Sequence, residues 1–333
     1  MVNHAGWCDL IGASAYQASR SESDQREGSD LNRILVTGGA GFIGANLARR
    51  LLQTGHDVVV LDDLSSGKPE NIPSGATLVE GSILDRETVQ RALAGVDACI
   101  HLAAVASVER CNRQLTSSHA INITGLLTIV EELARTGTKL PLVYASSAAV
   151  YGASQDLPLS EDGKCVPLSP YGADKLSCEL HTRAAYEVYG LSTTGLRFFN
   201  VFGPGQDPSS PYSGVITKFA QRLKNNENIT IYGDGMQTRD FVYVDDVVEA
   251  LIRAVGSDRQ GATVINVCSG VETTINDLAR IMIEETNSPC GIEHVDGLLG
   301  EVRRSKGCAQ ALQTILGYQC RTDLRTGLAR LLQ

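Results

Sequence analysis

From Arg33 onward the chain alternates short, β-branched apolar runs with longer stretches whose apolar positions recur at helical spacing. The apolar runs fall at 34–36, 58–61, 77–79, 98–102, 142–145 and 193–198, and helix-like stretches at 42–53, 87–93 and 121–135 lie between them. Alternation of this kind predicts an α/β protein built on a doubly wound parallel sheet, with helices covering both faces.

The pattern loosens after Asn200. Gly203, Pro204, Gly205, Pro208 and Pro211 mark a long loop, and such loops in compact domains are often binding elements. Helical periodicity returns at 244–254, 275–285 and 324–332 among short strand-like runs. The expected division is a weakly ordered extension over 1–30, a sheet domain over 31–200 and a smaller mixed α/β lobe over 201–333. Some elements of that lobe should return to the sheet.

Composition narrows the class. With 333 residues, 43% of them hydrophobic, the chain can bury a sizeable core, which excludes wholesale disorder. A formal charge of −9 argues against nucleic acid as a partner, because that role needs a basic face. A few local arginines would still hold one phosphorylated small molecule. No apolar run reaches the roughly 18 residues that span a bilayer, and no lysine-rich start precedes an apolar core. Neither membrane association nor a secretory signal is expected. Nine scattered cysteines without a C-x-x-C pair fit reduced thiols in the cytoplasm better than a disulfide framework. The six histidines lack metal-ligand spacing, so no metal is expected.

The first apolar run leads straight into Gly38-Gly-Ala-Gly-Phe-Ile-Gly44, with Gly38, Gly41 and Gly44 three residues apart. Such glycines permit a tight turn, close backbone approach to a pyrophosphate, and close packing of the next helix. The helix N-terminus then offers unpaired N–H groups and a positive dipole end to an anion. A glycine match alone is equally a ligand-free turn. Here a strand precedes it, a helix follows, and the second strand ends in Asp62-Asp63. An acidic side chain at that point accepts ribose hydroxyls and repels a 2′-phosphate, and no arginine follows closely to neutralise one. The residues therefore favour NAD over NADP.

Tyr171 and Lys175 are four residues apart after Pro170, so they share one face of an expected helix. A free tyrosine is a poor base at neutral pH, whereas a nearby ammonium and a nicotinamide cation favour its phenolate form. The same spacing also suits an ordinary amphipathic helix with an exposed lysine. Ser147 weighs against that bland reading. It lies just past the 142–145 run, at the carboxyl end of a strand, where doubly wound sheets bind ligands.

T-G-G-A-G-F-I-G, D-D-L-S-S-G, H-L-A-A and S-P-Y-G-A-D-K occur in the order seen in extended short-chain dehydrogenases, over about residues 33–304. Within that superfamily the chain resembles the UDP-sugar 4-epimerases of the NAD-dependent epimerase/dehydratase family. The resemblance implies a Rossmann domain whose NAD is held by Gly38, Gly41, Phe42, Ile43, Gly44, Asp62, Ser82, Ile83, Leu102, Ala103 and Ala104. It implies that Ser147 hydrogen-bonds the reacting sugar hydroxyl, that Tyr171 removes its proton and that Lys175 holds the cofactor ribose. It places Asn200 and Arg239 on the substrate diphosphate, and the loop from Asn200 through Val215 over the uracil. It also implies a homodimer formed by helices around 112–135 and 171–189.

Related dehydratases carry an Asp-Glu pair directly after the hydroxyl residue. Here Ala148 and Ala149 stand there, and neither can transfer a proton. The cysteine used near this point by related 3,5-epimerases is absent as well. What remains is oxidation and re-reduction at one carbon through a 4-keto sugar, or simple ketone reduction. Two positions depart from the resemblance: Leu298 stands where relatives carry a phosphate-binding arginine two residues before Gly300, with Arg303 and Arg304 following. Ser82 replaces an adenine-contacting aspartate. By the same register Ser305 falls at the gate beside the sugar 2-substituent, where serine leaves space for an N-acetyl group, and Ser107 can face the substrate. The expected activity is 4-epimerisation of UDP-N-acetylglucosamine/UDP-N-acetylgalactosamine or UDP-glucose/UDP-galactose. Two rivals stay open: a nucleotide-sugar 4-ketoreductase, and a non-catalytic NAD sensor. The joint presence of Ser147, Tyr171 and Lys175 argues against the second.

Overall fold

The computed structural model describes residues 31–137, 139–207, 214–297 and 302–332. The extension over 1–30, Pro208, Pro211, Leu298 and Gly300 lie outside the described residues. The strands of the main sheet are β1 (Arg33–Thr37), β2 (Asp57–Asp62), β3 (Thr77–Glu80), β4 (Ala98–His101), β5 (Leu142–Ser147), β6 (Thr193–Phe198) and β7 (Ala262–Val267). The helices are α1 (Phe42–Gln53), α2 (Arg86–Leu93), α3 (Val108–Arg113), α4 (Leu115–His119), α5 (Gly125–Thr136) and α6 (Pro170–Tyr189). They continue with α7 (Val215–Lys224), α8 (Val244–Val255), α9 (Ile275–Thr286), α10 (Gln310–Leu316) and α11 (Leu324–Leu332).

All pairings in the main sheet are parallel, in the order β7-β6-β5-β4-β1-β2-β3. The chain builds outward from β1 to β3, then crosses back to set β4 on the other side of β1. Ile34 accordingly lies beside Val58 on one side and Ala98 on the other. At such a reversal the carboxyl ends of the strands open into a ligand crevice.

The period of two along each strand divides side chains between two cores. Ile34, Val36, Val58 and Val60 join Leu47 and Leu51 of α1 and Val247 and Leu251 of α8. Leu35, Val59, Leu61 and Tyr144 join Ile129 and Leu133 of α5 and Cys178 of α6 on the opposite face. Covered on both faces, β1, β2 and β4 are buried along nearly their whole length, whereas the edge strand β3 is mostly exposed. Leu47 and Leu51, one helical turn apart, are fully buried and each contribute roughly 1.5–3 kcal/mol. Arg49 and Arg50 between them stay exposed.

Helix ends have local causes. The Ser169 hydroxyl accepts the Gly172 N–H at 3.1 Å and Pro170 occupies the first turn, so α6 starts there. It stops where Gly190 adopts a left-handed φ of 67°. Elements beyond residue 200 contribute to two layers. β7 extends the main sheet beside β6, with Ile265 opposite Leu196, and α8 covers the face also covered by α1. A second layer holds the short pairs Asn200–Phe202 with Phe241–Tyr243, Ile229–Tyr232 with Ile292–Val295, and Thr238–Arg239 with Thr273–Thr274. Among the described residues no helix is long and apolar enough to cross a membrane, and the cysteines carry free thiols.

Candidate active site

Where β1 ends, the Gly38 N–H donates to Leu61 O at 2.8 Å and the Gly41 N–H to Gly38 O at 3.1 Å, which folds the loop over the strand ends. Gly38 sits at φ 71°, and a Cβ there would stand 2.7 Å from the Ala103 nitrogen. A Cβ on Gly44 would stand 2.2 Å from Gly38 O. Only glycine lets α1 begin this close to the strand. The first turn of α1 has neither a side-chain cap nor an acidic residue, so its N–H groups and positive dipole end remain available to an anion. Gly38, Gly41, Phe42, Ile43 and Gly44 line one cleft of about 470 Å³. This cradle, which a single Cβ would fill, fits a dinucleotide pyrophosphate.

Asp62 closes β2 and is only 8% exposed. One carboxylate oxygen accepts the Ala40 N–H and the other the Leu64 N–H, both at 2.9 Å. These bonds fix the carboxylate while leaving it lone pairs for ribose hydroxyls. Asp63 is engaged instead by the backbone and hydroxyl of Ser65. Lys68, the cation of this turn, pairs with Asp207 at 3.1 Å, which accords with NAD rather than a 2′-phosphorylated cofactor. Ser82 and Ile83 after β3, and Leu102, Ala103 and Ala104 after β4, line the same cleft.

Ser147 is the last residue of β5, and its hydroxyl accepts the Ala149 N–H at 3.2 Å to cap the short turn Ala148–Tyr151. The start of α6 presses on this turn. A Cβ at Gly172 would meet Ala149 O at 2.6 Å, so glycine beside Tyr171 permits the approach. Tyr171 and Lys175 follow one another on successive turns, and both line the cleft with Ser147 and Asn200. The Lys175 ammonium lies 5.9 Å from the Tyr171 ring centroid and donates to Ala145 O at 2.8 Å. At 3% exposure that cation depends on the carbonyl and the ring face for compensation. Asp62 and Asp63, at the end of β2, are the carboxylates among the described lining residues. Among the described residues, no carboxylate, thiol or imidazole lines the cleft beside Ser147.

Beneath this floor the Thr37 hydroxyl lies 2.7 Å from His101 Nδ1 and accepts the Ala103 N–H at 3.2 Å. Burial, aided by the Lys175 charge, pushes His101 down to about 3, so its ring is neutral. Further lining residues are Ser65, Ser66, Gly67, Arg110 and Gln206. The first three belong to D-D-L-S-S-G, a motif whose serines the sequence reading left unused. Arg110 and Gln206 carry no local signal.

The remaining sequence candidates lie elsewhere. The Ser107 hydroxyl accepts the Arg110 N–H at 3.0 Å and so caps α3. Val215 is the first residue of α7. Arg239 donates to the carbonyls of Thr238 and Val302, while the buried Asp240 carboxylate is satisfied by Ser269, Gly270 and Gly307. Arg304 makes a two-pronged pair with Glu272, both contacts 2.8 Å. Ser305 is buried, and its N–H donates to Thr238 Oγ1 at 3.4 Å. None of these five residues lines the cleft that contains Tyr171. Arg239, Arg304 and Ser305 instead gather around Thr238, whose hydroxyl also donates to Glu272 at 2.5 Å.

Residues 34–268 match the model of the NAD dependent epimerase/dehydratase family. UDP-glucose 4-epimerase of Mycolicibacterium smegmatis is 36% identical over 304 residues, covering 90% of this chain and 96% of that protein. Among solved structures, UDP-glucose 4-epimerase of Thermotoga maritima, determined with UDP-glucose, superposes with a TM-score of 0.86 at 36% identity, covering 90% of this chain and 97% of the other. UDP-N-acetylglucosamine 4-epimerase of Methanobrevibacter ruminantium M1, in complex with UDP-N-acetylmuramic acid, gives 0.86 at 35% identity, with the same coverage of 90% and 97%.

Proposed function

The chain belongs to the NAD-dependent epimerase/dehydratase family, and from that premise we propose that it is a UDP-sugar 4-epimerase. The observation that carries this reading is the composition of one cleft. Ser147, Tyr171 and Lys175 share it with the glycine cradle, while the two positions after Ser147 are alanines. Eliminating water would need a second acid–base group beside the reacting carbon.

NAD, the cofactor, supplies a hydride acceptor and donor when bound. It would rest its pyrophosphate on Gly38, Gly41 and the start of α1, and its adenosine ribose on Asp62. Lys175, on the same helix face as Tyr171, would hold the nicotinamide ribose and keep positive charge beside the phenol. Ser147 hydrogen-bonds the 4-hydroxyl and aligns it with Tyr171, which takes the hydroxyl proton as the 4-keto sugar forms. Asn200, which lines the same cleft, would anchor the diphosphate, so the sugar can turn over while the nucleotide stays fixed. Tyr171 then returns the proton to the inverted hydroxyl.

For the sugar, we favour the N-acetylated pair, UDP-N-acetylglucosamine and UDP-N-acetylgalactosamine. Support comes from the similar M. ruminantium enzyme, described as a UDP-N-acetylglucosamine 4-epimerase. A competition assay between UDP-N-acetylglucosamine and UDP-glucose tests this. Exclusive turnover of UDP-glucose would remove the acetylated reading.

A homodimer formed through α5 and α6 completes the reading. Leu127, Val130, Ala184, Val188 and Tyr189 line a shallow groove between these helices, and Val188 is 64% exposed. Apolar surface of this kind on a helix pair suits a second copy of the same face.

A further inference from the structure

Beneath the catalytic residues lies an ion pair that the chemistry above does not use. Glu179 follows Lys175 by one turn on α6, and Arg197 projects from β6. Their side chains are 6% and 5% exposed. Arg197 grips Glu179 with two prongs, Nε to Oε1 at 2.9 Å and Nη2 to Oε2 at 2.7 Å. The Ser146 hydroxyl donates to Glu179 Oε1 at 2.5 Å. Arg197 Nη1 also donates to Tyr151 OH at 2.8 Å and to Glu161 O at 3.2 Å, and its guanidinium lies 4.8 Å from the Tyr151 ring centroid. Tyr151 in turn donates to Asn266 Oδ1 at 2.7 Å.

Three of the bonded groups adjoin the residues assigned to catalysis. Ser146 precedes Ser147. Tyr151 ends the turn that Ser147 caps. Glu179 lies one turn past Lys175 and two past Tyr171. The pair is thus bonded both to the segment bearing Ser147 and to the helix bearing Tyr171 and Lys175. Buried ion pairs are poor stabilisers, because desolvation of both charges offsets their attraction, and apolar replacement of both partners is often neutral or stabilising. What apolar packing would not supply is direction. A two-pronged guanidinium–carboxylate pair fixes one relative orientation of α6 and β6, and the third bond from Ser146 ties β5 into it. We propose that Glu179 and Arg197 are positioning residues for the reaction, acting by holding Ser147 in register with Tyr171 and Lys175. This inference rests on the assignment of those three residues to catalysis.

The test is the double variant Glu179→Met/Arg197→Met, compared with wild type and Tyr171→Phe in a UDP-sugar epimerisation assay. Melting temperature and bound NAD per protomer are measured alongside. Misplacement of reacting groups by about 1 Å costs on the order of 100-fold, so the double variant should keep its fold and NAD while kcat falls roughly 10–100-fold at a KM within about threefold of wild type. A merely structural pair would change melting temperature and leave kcat alone. Retention of kcat within about twofold by a folded double variant overturns the proposal. Arg197→Lys covers the case of poor folding, because it keeps the charge and loses the fork. It should show the same split, lower kcat with KM unchanged, and full activity of this variant overturns the proposal equally. If wild type and Tyr171→Phe turn over alike, the catalytic assignment itself fails and takes this inference with it. A working wild type, a dead Tyr171→Phe and an unaffected double variant would defeat the positioning role alone.

Discussion

Replacing the Tyr171 hydroxyl by hydrogen removes the phenol proposed to take and return the substrate proton. General acid–base catalysis contributes about 10²–10⁴-fold, and Tyr171→Phe should lose activity in that range while NAD stays bound, as absorbance and mass spectrometry of the released cofactor would show. Gly44→Ala should behave in the opposite way. Its Cβ would fall 2.2 Å from Gly38 O, so strain of roughly 1–3 kcal/mol should lower the melting temperature and the NAD content together. His101 adds a pH dependence. Its folded value of about 3 lies below the unfolded value of about 6.5, so the unfolded chain takes up the proton first as pH falls. Stability from this group is complete above about 6.5 and drains away toward 3 at about 1.4 kcal/mol per unit. Urea titrations between pH 7 and 5 should show a shallower loss in His101→Asn than in wild type, and equal slopes would refute the buried neutral ring. The glycines, Asp62, Ser147, Tyr171 and Lys175 were legible because one strand–turn–helix unit or one helical face sets their spacing. Arg110 and Gln206 were not, since long-range folding alone brings them to the cleft. Ser305 was read by counting from Gly300, and register in a loop has no periodicity to correct it.

Helix boundaries follow the same local chemistry. Ser169→Ala removes the bond to the Gly172 N–H at the start of α6, and its expected cost is about 0.5–2 kcal/mol by chemical denaturation. Because Tyr171 lies in that first turn, kcat should also fall more than KM rises. The six runs read from sequence each became a strand of the main sheet; for the inner strands β1, β2 and β4 the cause is a parallel sheet covered on both faces, which selects apolar residues. β7 escaped notice for a physical reason. Its Asn266 is fully buried, yet it is satisfied by Tyr151, the Leu159 carbonyl and the Glu161 carboxylate. A polar residue in the middle of a run breaks the apolar pattern, and only the partners, each more than a hundred residues away in sequence, make it a core residue. The short strands of the second layer span as few as two residues, too brief for any period to register.

At the scale of the molecule, the topological reversal at β1 lets one cleft be lined by the glycine turn before α1, by Tyr171 and Lys175 of α6, and by Asn200 and Val201 of the second layer. The α5–α6 face predicts a dimer by light scattering, and Val188→Asp should shift it toward monomer; a monomeric wild type would contradict that assembly. The proposed 4-epimerase activity requires a hydride that leaves C4 and returns to C4 without exchanging with free cofactor. The direct measurement is NMR of a UDP-sugar carrying deuterium at C4, incubated with purified protein and no added nicotinamide. Formation of the 4-epimer with the label still at C4, abolished in Tyr171→Phe, is the predicted result. Failure to epimerise any UDP-sugar without added reduced cofactor, with hydrogen from that cofactor appearing at C4 once it is supplied, would contradict it and identify a ketoreductase instead.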